Sequence, residues 1–164
     1  MTTTTTDLCD AHADALSIAT PMFQDYGGQR SFHGPVSTVK VFEDNSLVRT
    51  ALEQPGEGRV LVVDGGGSMR CALLGDNLAA LGQSQGWVGV VVYGCIRDSA
   101  EIAAMDFGVK ALNTHPLKSV KRGAGERDVP VTFAGITIRA GAYLYADHDG
   151  VVIAGEPLHQ TTAP

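Results

Sequence analysis

Two short runs of consecutive apolar residues constrain the fold of this chain most strongly. RVLVVDGGG (residues 59–67) and WVGVVVYG (residues 87–94) are apolar at successive positions, so a strand formed by either run has no polar face. Such strands occur in sheets that are covered on both faces. A helical pattern, ALLGDNLAALGQSQG (residues 72–86), lies between the two runs. The order strand, helix, strand predicts an α/β fold with a buried sheet.

The remaining segments extend this alternation. We expect helices within residues 7–16 and 45–55, a helix opened by Asp98 that continues to about residue 107, and strands over residues 34–44 and 109–114. From residue 129 the pattern changes to short β-rich runs separated by glycine-containing turns, without helices between them. The sequence therefore predicts a mixed α/β fold with a β-rich C-terminal part.

Length and the character of the two ends set the expected domain organisation. A chain of 164 residues is sufficient for one domain with a sizeable core. We expect a single compact domain over residues 7–157, a disordered tail over residues 1–6, and a loose C-terminus over residues 158–164. The start, MTTTTTD, lacks the basic and apolar regions of a signal peptide.

Composition argues against nucleic-acid and membrane partners for this protein and indicates its cellular compartment. The net charge is −6, and the short basic cluster KSVKR (residues 118–122), interpreted as a solvated loop, is too small to bind nucleic acid directly. No apolar run reaches the roughly 20 residues needed to cross a bilayer, so no membrane partner is expected. Cys9, Cys71 and Cys95 have neither disulfide-framework nor zinc-site spacing, which favours reduced thiols in a cytoplasmic protein.

The glycine turn in VLVVDGGGSMR has three possible interpretations. A dinucleotide fingerprint, G-x-G-x-x-G, fits Gly65 and Gly67 but has Arg70 at the place of its third glycine. A methyltransferase that binds S-adenosylmethionine could also use such a turn. We favour the third interpretation, in which the turn is tight backbone packing beside a site.

Asp76, Arg97 and Asp98 are the candidate site residues. Taken singly, each has a structural explanation: Asp98 with Glu101 matches a capping box, Asp76 lies near the start of a helix, and Arg97 could pair with a surface carboxylate. Taken together, Asp76 and Arg97 both follow buried strands, and the carboxyl ends of strands in α/β sheets are where ligands bind. This placement favours a ligand site.

The residue types at this edge indicate the ligand chemistry. Gly75 allows close approach to the backbone, and the N–H groups of Gly75, Asp76, Asn77 and Leu78 would bind a substrate carboxylate at a helix N-terminus. The Arg97 guanidinium would bind the same substrate. Asp98 supplies a hard oxygen ligand for Mg²⁺ or Mn²⁺, ions that take few protein carboxylates.

The spacing of these residues resembles a known family. Asp76, twenty intervening residues and the pair Arg97-Asp98 form a D-x20-R-D pattern that is similar to the signature of class II pyruvate aldolases, the 4-hydroxy-4-methyl-2-oxoglutarate aldolases. YGGQRSFHGPVSTVKVFEDN, GRVLVVDGGGSMRCALLGDNLA, GWVGVVVYGCIRD and YADHDGVVI resemble the RraA-like family, that of the regulator of ribonuclease activity A, once called MenG-like. These stretches span about residues 26–153.

The resemblance implies a fold, an assembly and an activity. The fold would be a compact α/β/β sandwich of the swivelling-domain type, assembled as a homotrimer with active sites between subunits. The activity would be metal-dependent cleavage of 4-hydroxy-2-oxo acids to pyruvate, with oxaloacetate decarboxylation as a side activity. In this scheme Arg97 and the metal on Asp98 stabilise enolate charge, and Asp76 positions or deprotonates a water.

The same family includes proteins with a different function. Some members bind and inhibit a ribonuclease E-type endonuclease, and that type departs from the D-x20-R-D pattern. This chain has all three residues of the pattern, which favours the enzyme. Inhibition of such an endonuclease remains the alternative.

Overall fold

The computed structural model describes residues 3–158. Four helices lie in this range: α1 (Thr5–His12), α2 (Ser46–Leu52), α3 (Asp76–Ser84) and α4 (Ser99–Ala103). The first seven strands are β1 (Leu16–Ile18), β2 (Gln24–Asp25), β3 (Phe32–Lys40), β4 (Val60–Asp64), β5 (Ala72–Leu74), β6 (Gly89–Ile96) and β7 (Gly108–Thr114). The last five are β8 (Glu126–Arg127), β9 (Val131–Phe133), β10 (Ile136–Ile138), β11 (Tyr143–Asp147) and β12 (Gly150–Ala154).

One large mixed sheet contains ten of these strands. Its main order is β1-β12-β11-β3-β4-β6-β7-β2, with β5 added to β6 and β8 added to β3. The central pairs β3–β4, β4–β6 and β6–β7 are parallel, whereas the pairs toward both ends are antiparallel. Strands β9 and β10 form a separate hairpin. The expected α/β fold with a mixed sheet is therefore confirmed.

The apolar strand β4 shows why the protein has layers on both sides of the sheet. Leu61 and Val63 pack in a core cluster with side chains of α2, α3 and α4. Val60 and Val62 point to the opposite face, into a second cluster with β9, β10, β11 and β12. Alternate residues of a strand point to opposite faces, and both faces of this sheet are covered. All four side chains are therefore fully buried. The layers are thus helices, sheet and a β-rich part.

The arrangement of β5, β6 and the helices that follow them positions the site. Strand β5 runs parallel to β6, so the carboxyl ends of both strands meet at one edge of the sheet. One residue, Gly75, separates β5 from α3, and two residues, Arg97 and Asp98, separate β6 from α4. The segment before α3 is thereby placed beside the Arg97-Asp98 pair. Helix α4 ends at Ala103, earlier than the predicted end near residue 107.

The N-terminal tail predicted over residues 1–6 is wrong for its last residues. Helix α1 begins at Thr5 rather than at residue 7, with Thr4 as its capping residue. Thr5 is buried, and its backbone N–H and hydroxyl both donate to the Asp147 carboxylate at 2.7 Å. These bonds join residues far apart in the chain, so sequence patterns gave no sign of them.

The C-terminal boundary is shifted by one residue. Leu158, predicted to be loose, exchanges hydrogen bonds with the hydroxyl of Tyr145 through its backbone and packs in an apolar cluster with Leu8. Residues 159–164 of that prediction lie outside the described residues. Between residues 3 and 158, no helix is both long enough and apolar enough to span a bilayer.

Candidate functional site

The six residues singled out from the sequence line one small cavity. Gly75, Asp76, Asn77 and Leu78 contribute the start of α3, and Arg97 and Asp98 contribute the turn after β6; the cavity measures about 120 Å³. The two segments meet because β5 and β6 are neighbouring parallel strands. The carboxyl edge of the sheet therefore carries this constellation, as the strand order requires.

Asp98 connects the two segments. Its Oδ2 accepts a hydrogen bond from the backbone N–H of Asp76 at 3.1 Å. Asp98 is the residue before α4, but it has left-handed backbone angles (φ 58°, ψ 42°) and its side chain makes no cap bond to that helix. The capping-box interpretation of Asp98 is therefore wrong: the carboxylate binds the N-terminus of α3 instead.

The first N–H groups of α3 form hydrogen bonds within the chain. Bonding from the helix back to its cap starts with Ala79, whose N–H donates to the Gly75 carbonyl at 3.0 Å. The preceding N–H groups of Asp76 and Asn77 donate to carboxylate oxygens, of Asp98 and Asp76 respectively. Helix N-termini favour anions, and this one already binds two carboxylates of the chain itself. The expectation that the N–H groups of Asp76 and Asn77 would bind a substrate carboxylate is therefore wrong for these two groups in this structure.

Gly75 makes the close approach of these segments possible. A Cβ at this position would lie 2.8 Å from the Asp98 Oδ2 and 3.5 Å from Cγ and Nε of Arg97. The backbone of Gly75 is extended (φ −121°, ψ −174°), a conformation open to any residue. The requirement for glycine is thus steric and comes from the two site side chains.

Arg97 is held by its backbone, and its side chain is left for a ligand. Its N–H donates to the Leu74 carbonyl at 2.8 Å, which fixes the start of the turn after β6. Within residues 3–158 the guanidinium has neither a hydrogen bond nor an ion pair with another side chain. Arg97 is half-buried, so its charge faces the cavity with limited access to bulk water.

Sequence reasoning missed four residues of the cavity wall that carry charge or an amide. Lys118 and Lys121 come from the basic cluster interpreted as a solvated loop, Asn45 is the residue before α2, and Arg49 lies in the last turn of α2. The loop reaches the site because Ala72 N–H donates to the Leu117 carbonyl at 2.7 Å and Ala72 pairs with Lys118. Both lysines are exposed, so the interpretation as a solvated loop is correct in part. The clustering of basic residues in this loop is the sequence signal that could have indicated a role in the cavity wall.

Asp44 anchors the loop that carries Lys118 and Lys121, which we call the lysine loop (residues 115–125). Its Oδ2 accepts hydrogen bonds from the backbone N–H groups of Arg122 and Ala124 at 2.8 and 3.1 Å, and its Oδ1 accepts from Ser46. Burial acts to raise the pKa of Asp44, but these hydrogen bonds outweigh it and lower the pKa to about 2. The ionised carboxylate therefore holds residues 122–124 beside the start of α2.

The donor set of the cavity fits a hard divalent cation held by few protein ligands. Oδ2 of Asp98 is used by Asp76 N–H, whereas Oδ1 has no partner among residues 3–158 and is available. No group of three or more histidine, cysteine, aspartate or glutamate side chains with metal-binding geometry occurs in this part of the chain. Mg²⁺ commonly takes one or two carboxylates and retains several waters, so Asp98 with Asp76 nearby suits it.

The glycine turn after β4 is packed on itself. The N–H groups of Gly65 and Gly67 donate to the Tyr93 carbonyl at 3.1 Å, that of Gly66 donates to the Asp64 carboxylate at 2.9 Å, and that of Ser68 donates to the Gly65 carbonyl. A phosphate cradle needs unpaired N–H groups, and these four are all used. The interpretation as tight backbone packing is therefore confirmed.

Comparison with known proteins identifies the family. The model of the RraA-like family described as Aldolase/RraA matches residues 5–153. A protein from Alkalilimnicola ehrlichii named "Putative 4-hydroxy-4-methyl-2-oxoglutarate aldolase" is 73% identical over 160 residues, covering 98% of this chain and 99% of that protein. A protein of the same name from Halorhodospira halophila is 65% identical, with 94% and 96% of the two chains covered.

Two solved structures share the fold over nearly the whole chain. One is described as an S-adenosylmethionine: 2-dimethylmenaquinone methyltransferase from Geobacillus kaustophilus, with a TM-score of 0.94, 56% identity, and coverage of 95% of this chain and 97% of that one. The other is the RNA-processing inhibitor RraA from Thermus thermophilis, with a TM-score of 0.95, 45% identity and coverage of 99% of both chains. On the family match and these identities, the chain belongs to the RraA-like family, the Aldolase/RraA group.

Proposed function

We propose that this protein is a class II, divalent-metal-dependent aldolase. Its reaction would be retro-aldol cleavage of 4-hydroxy-2-oxo acids of the 4-hydroxy-4-methyl-2-oxoglutarate type to pyruvate and a second carbonyl compound. Decarboxylation of oxaloacetate would be a side activity because both reactions pass through pyruvate enolate. The names of the relatives from Alkalilimnicola ehrlichii and Halorhodospira halophila support the aldolase assignment.

One observation carries the proposal: the start of α3, the Arg97 guanidinium and the Asp98 carboxylate line a single cavity. Among residues 3–158, neither the guanidinium nor Oδ1 of Asp98 has a side-chain partner. The substrate carboxylate would bind at the start of α3, where Leu78 N–H and the helix dipole favour an anion. Arg97 would donate to the C2 oxygen, on which negative charge accumulates as the carbon–carbon bond breaks. Asp76 would orient the water that takes the hydroxyl proton.

Mg²⁺ or Mn²⁺ is the proposed cofactor, held by Asp98. Such an ion, when bound, supplies a second positive charge near the developing oxyanion. Lys118 and Lys121 raise the positive charge of the cavity wall further, which favours dianionic oxo acids as substrates. The cationic wall offsets the overall charge of −6 where the substrate enters.

A pyruvate-release assay with Mg²⁺ or Mn²⁺ tests the proposal. We expect turnover of a 4-hydroxy-2-oxo acid by the unaltered protein, and a loss of about 10²–10³-fold in kcat for Arg97→Ala, the typical effect of removing one oxyanion donor. Arg139→Ala is the matched control because Arg139 is exposed and lies outside the cavity. Equal activity of the Arg97 and Arg139 variants would contradict the assigned role.

We also propose assembly as a homotrimer. Four large apolar side chains on loops, those of Phe42, Met69, Leu117 and Val120, are at least half exposed, and a subunit interface would cover them. Leu117 and Val120 are chain neighbours of the cavity residues Lys118 and Lys121. Light scattering coupled to size exclusion is expected to give three times the chain mass of 17.2 kDa. A monomer at micromolar concentration would contradict the assembly.

Inhibition of a ribonuclease E-type endonuclease is the second candidate function. It is supported by the similarity to the RNA-processing inhibitor RraA, at 45% identity over 99% of this chain. Binding by an inhibitor surface would not depend on Arg97. We therefore expect a pull-down of the endonuclease to be equal for the unaltered protein and Arg97→Ala if this function is present, with no retention if it is absent.

A methyltransferase activity is the least supported of the three. The relative from Geobacillus kaustophilus carries that description, but here every N–H of the glycine turn from Gly65 to Ser68 is already paired. Titration with S-adenosylmethionine in a calorimeter is expected to give no binding heat. Saturable binding would return this function to consideration.

A further inference from the structure

A second cavity lies away from the candidate active site. It measures about 460 Å³, against about 120 Å³ for the cavity that contains Arg97, and the two have no lining residue in common. Its wall is formed by α1, the connection from β1 to β2, the strand β7 and the start of β12. Cavities of roughly 300–1,000 Å³ are typical of small-molecule sites. The proposed reaction gives this larger cavity no role.

The interior of the second cavity is largely apolar. Ala19 and Val151 are buried residues of its lining, and Met22 and Phe23 line it while packing against the β-rich core cluster. Ile18 also lines it, with 53% of the residue exposed. A molecule with an apolar body would remove these side chains from water, and burial of apolar surface favours binding.

A buried lysine lines this apolar cavity. Lys110 lies in β7 between Val109 and Ala111, which both pack in the core cluster beside the helices. Because alternate residues of a strand point to opposite faces, Lys110 projects to the face of the sheet on which Met22 and Phe23 pack. Its side chain is only 3% exposed. Lysine is almost never buried to this extent unless its charge is paired.

Asp25 pairs with Lys110 but leaves hydrogen-bond donors over. Oδ1 of Asp25 lies 3.0 Å from the Nζ of Lys110, and the two residues are register partners of β2 and β7. An ammonium has three N–H donors. Among residues 3–158, the ammonium has no partner other than Asp25. Two donors of a buried cation are therefore available to an acceptor oxygen in the cavity.

The charges around the cavity favour a ligand without negative charge. The charges of Lys110 and Asp25 sum to zero, and Asp10 and Asp149 are exposed lining residues that add two carboxylates at the mouth. A ligand carboxylate would leave the buried ammonium with two carboxylates, and one of these charges would be desolvated without compensation. A carbonyl or hydroxyl oxygen accepts the same hydrogen bond and adds no charge.

We propose that this cavity is a second binding site, for an uncharged apolar molecule that carries a carbonyl or hydroxyl oxygen. The apolar body would contact Met22, Phe23 and Val151, and the oxygen would accept a hydrogen bond from the Lys110 ammonium. The site would reject the dianionic oxo acids that the cationic wall of the active site favours. It uses neither the active-site residues nor the aldolase reaction, so it stands whether or not the protein cleaves oxo acids. The four apolar side chains assigned to the subunit interface lie outside this cavity.

Three small probes test the two parts of this proposal. Acetophenone is neutral and has a carbonyl oxygen, ethylbenzene has the same carbon skeleton without the oxygen, and benzoate is an anion of similar size. Each is titrated into the full chain labelled with ¹³C at the methionine methyl groups, at about pH 8, where histidine is neutral. Met22 lines the cavity, whereas Met69 and Met105 lie outside it and serve as internal controls.

We expect acetophenone to shift the methyl resonance of Met22 in a saturable manner and to leave those of Met69 and Met105 in place. Ethylbenzene should bind at least about tenfold more weakly, because a hydrogen bond to a charged group contributes at least that factor. Benzoate should also bind about tenfold or more weakly than acetophenone, since its charge must be desolvated beside Asp25.

A double variant assigns the oxygen contact to Lys110. Lys110→Met combined with Asp25→Asn replaces the ion pair by uncharged side chains, so that no unpaired charge remains buried. Acetophenone and ethylbenzene should then bind with about equal affinity. Arg97→Ala, which alters the other cavity, should retain the acetophenone affinity of the unaltered protein. Thermal unfolding shows whether each variant is folded, and the three probes on the unaltered protein decide the matter even if the double variant is not.

Several outcomes would overturn the proposal. Absence of a saturable shift at Met22, or equal shifts at Met69 and Met105, would mean that the cavity is not a specific site. Binding of ethylbenzene or benzoate as tight as that of acetophenone would contradict the assigned ligand chemistry. An undiminished preference for acetophenone in the folded double variant would remove Lys110 from recognition. Loss of acetophenone binding in a folded Arg97→Ala would place the ligand in the active site instead.

Discussion

The carboxylate of Asp98 accepts the backbone N–H of Asp76 at 3.1 Å, so two residues 22 positions apart share one hydrogen bond across the cavity. This bond orients Oδ2 toward α3, whereas Oδ1 has no hydrogen-bond partner among residues 3–158. It also places the Asp76 side chain beside the Arg97-Asp98 turn. The D-x20-R-D spacing thus corresponds to two strand ends that are adjacent in the sheet.

Gly75→Ala is expected to impair catalysis more than stability. The added Cβ would stand 2.8 Å from Asp98 Oδ2 and would push the carboxylate off the Asp76 N–H, while the backbone angles tolerate alanine. We expect kcat to fall by about tenfold or more, with a destabilisation of about 1–3 kcal/mol from overpacking. Gly150→Ala is the control, because its Cβ meets no atom within 4 Å. Full activity of Gly75→Ala would show that the Asp98 position is not critical.

Asp98→Asn is expected to weaken metal binding while the bond to Asp76 persists. The amide oxygen can still accept the Asp76 N–H, but the neutral side chain is a poorer ligand for Mg²⁺. We expect Mn²⁺ affinity, measured by electron paramagnetic resonance of the free ion, to fall by about tenfold or more. Asp106→Asn removes an exposed carboxylate outside the cavity and should leave the affinity unchanged. Unaltered affinity in Asp98→Asn, or full activity after EDTA treatment, would place the metal elsewhere or remove it from the mechanism.

Asp44→Asn is expected to destabilise the lysine loop in a pH-dependent manner. The folded-state pKa of about 2 lies below the usual value of 3.8, so the stabilisation is present above about pH 4 and is lost as the pH falls toward 2. We expect urea unfolding at pH 7 to show a loss of about 1.5–3 kcal/mol in the variant, the range for hydrogen bonds to a charged group. At pH 3 the difference from the unaltered protein should be smaller. A constant difference from pH 7 to pH 3 would mean that charge on Asp44 is not what anchors residues 122–124.

Thr5→Val is expected to loosen the attachment of α1 to the turn after β11. Valine has nearly the same shape but lacks the hydroxyl that donates to Asp147 at 2.7 Å. We expect a loss of about 1.5–3 kcal/mol in the free energy of unfolding, since the acceptor is a buried carboxylate. Thr6→Val, at the neighbouring exposed position, is the control for β-branched propensity. A double-mutant cycle with Asp147→Asn that gives no coupling energy would contradict a direct interaction.

Much of the central fold could be predicted from sequence because it depends on local pattern. The two apolar runs form β4 and β6, and the helical pattern between them forms α3. The short β-rich runs that begin at residue 129 correspond to the β-rich C-terminal part. The short strands β1, β2 and β8 could not be predicted, since two or three residues carry no periodic signal and pair only with strands distant in the chain. The ordering of Thr5 by Asp147 escaped prediction for the same reason.

The sequence by itself determined which residue types follow which strands, and hence that Asp76, Arg97 and Asp98 stand at the carboxyl edge of a buried sheet. Only the tertiary structure decided what surrounds them: that Asp98 binds α3 rather than its own helix, and that Lys118, Lys121 and Asn45 complete the wall. The physical reason is that the spacing of apolar residues within a segment determines whether that segment forms a helix or a strand and which of its side chains are buried. The strand order and register, by contrast, come from packing of the whole core and determine which distant segments meet.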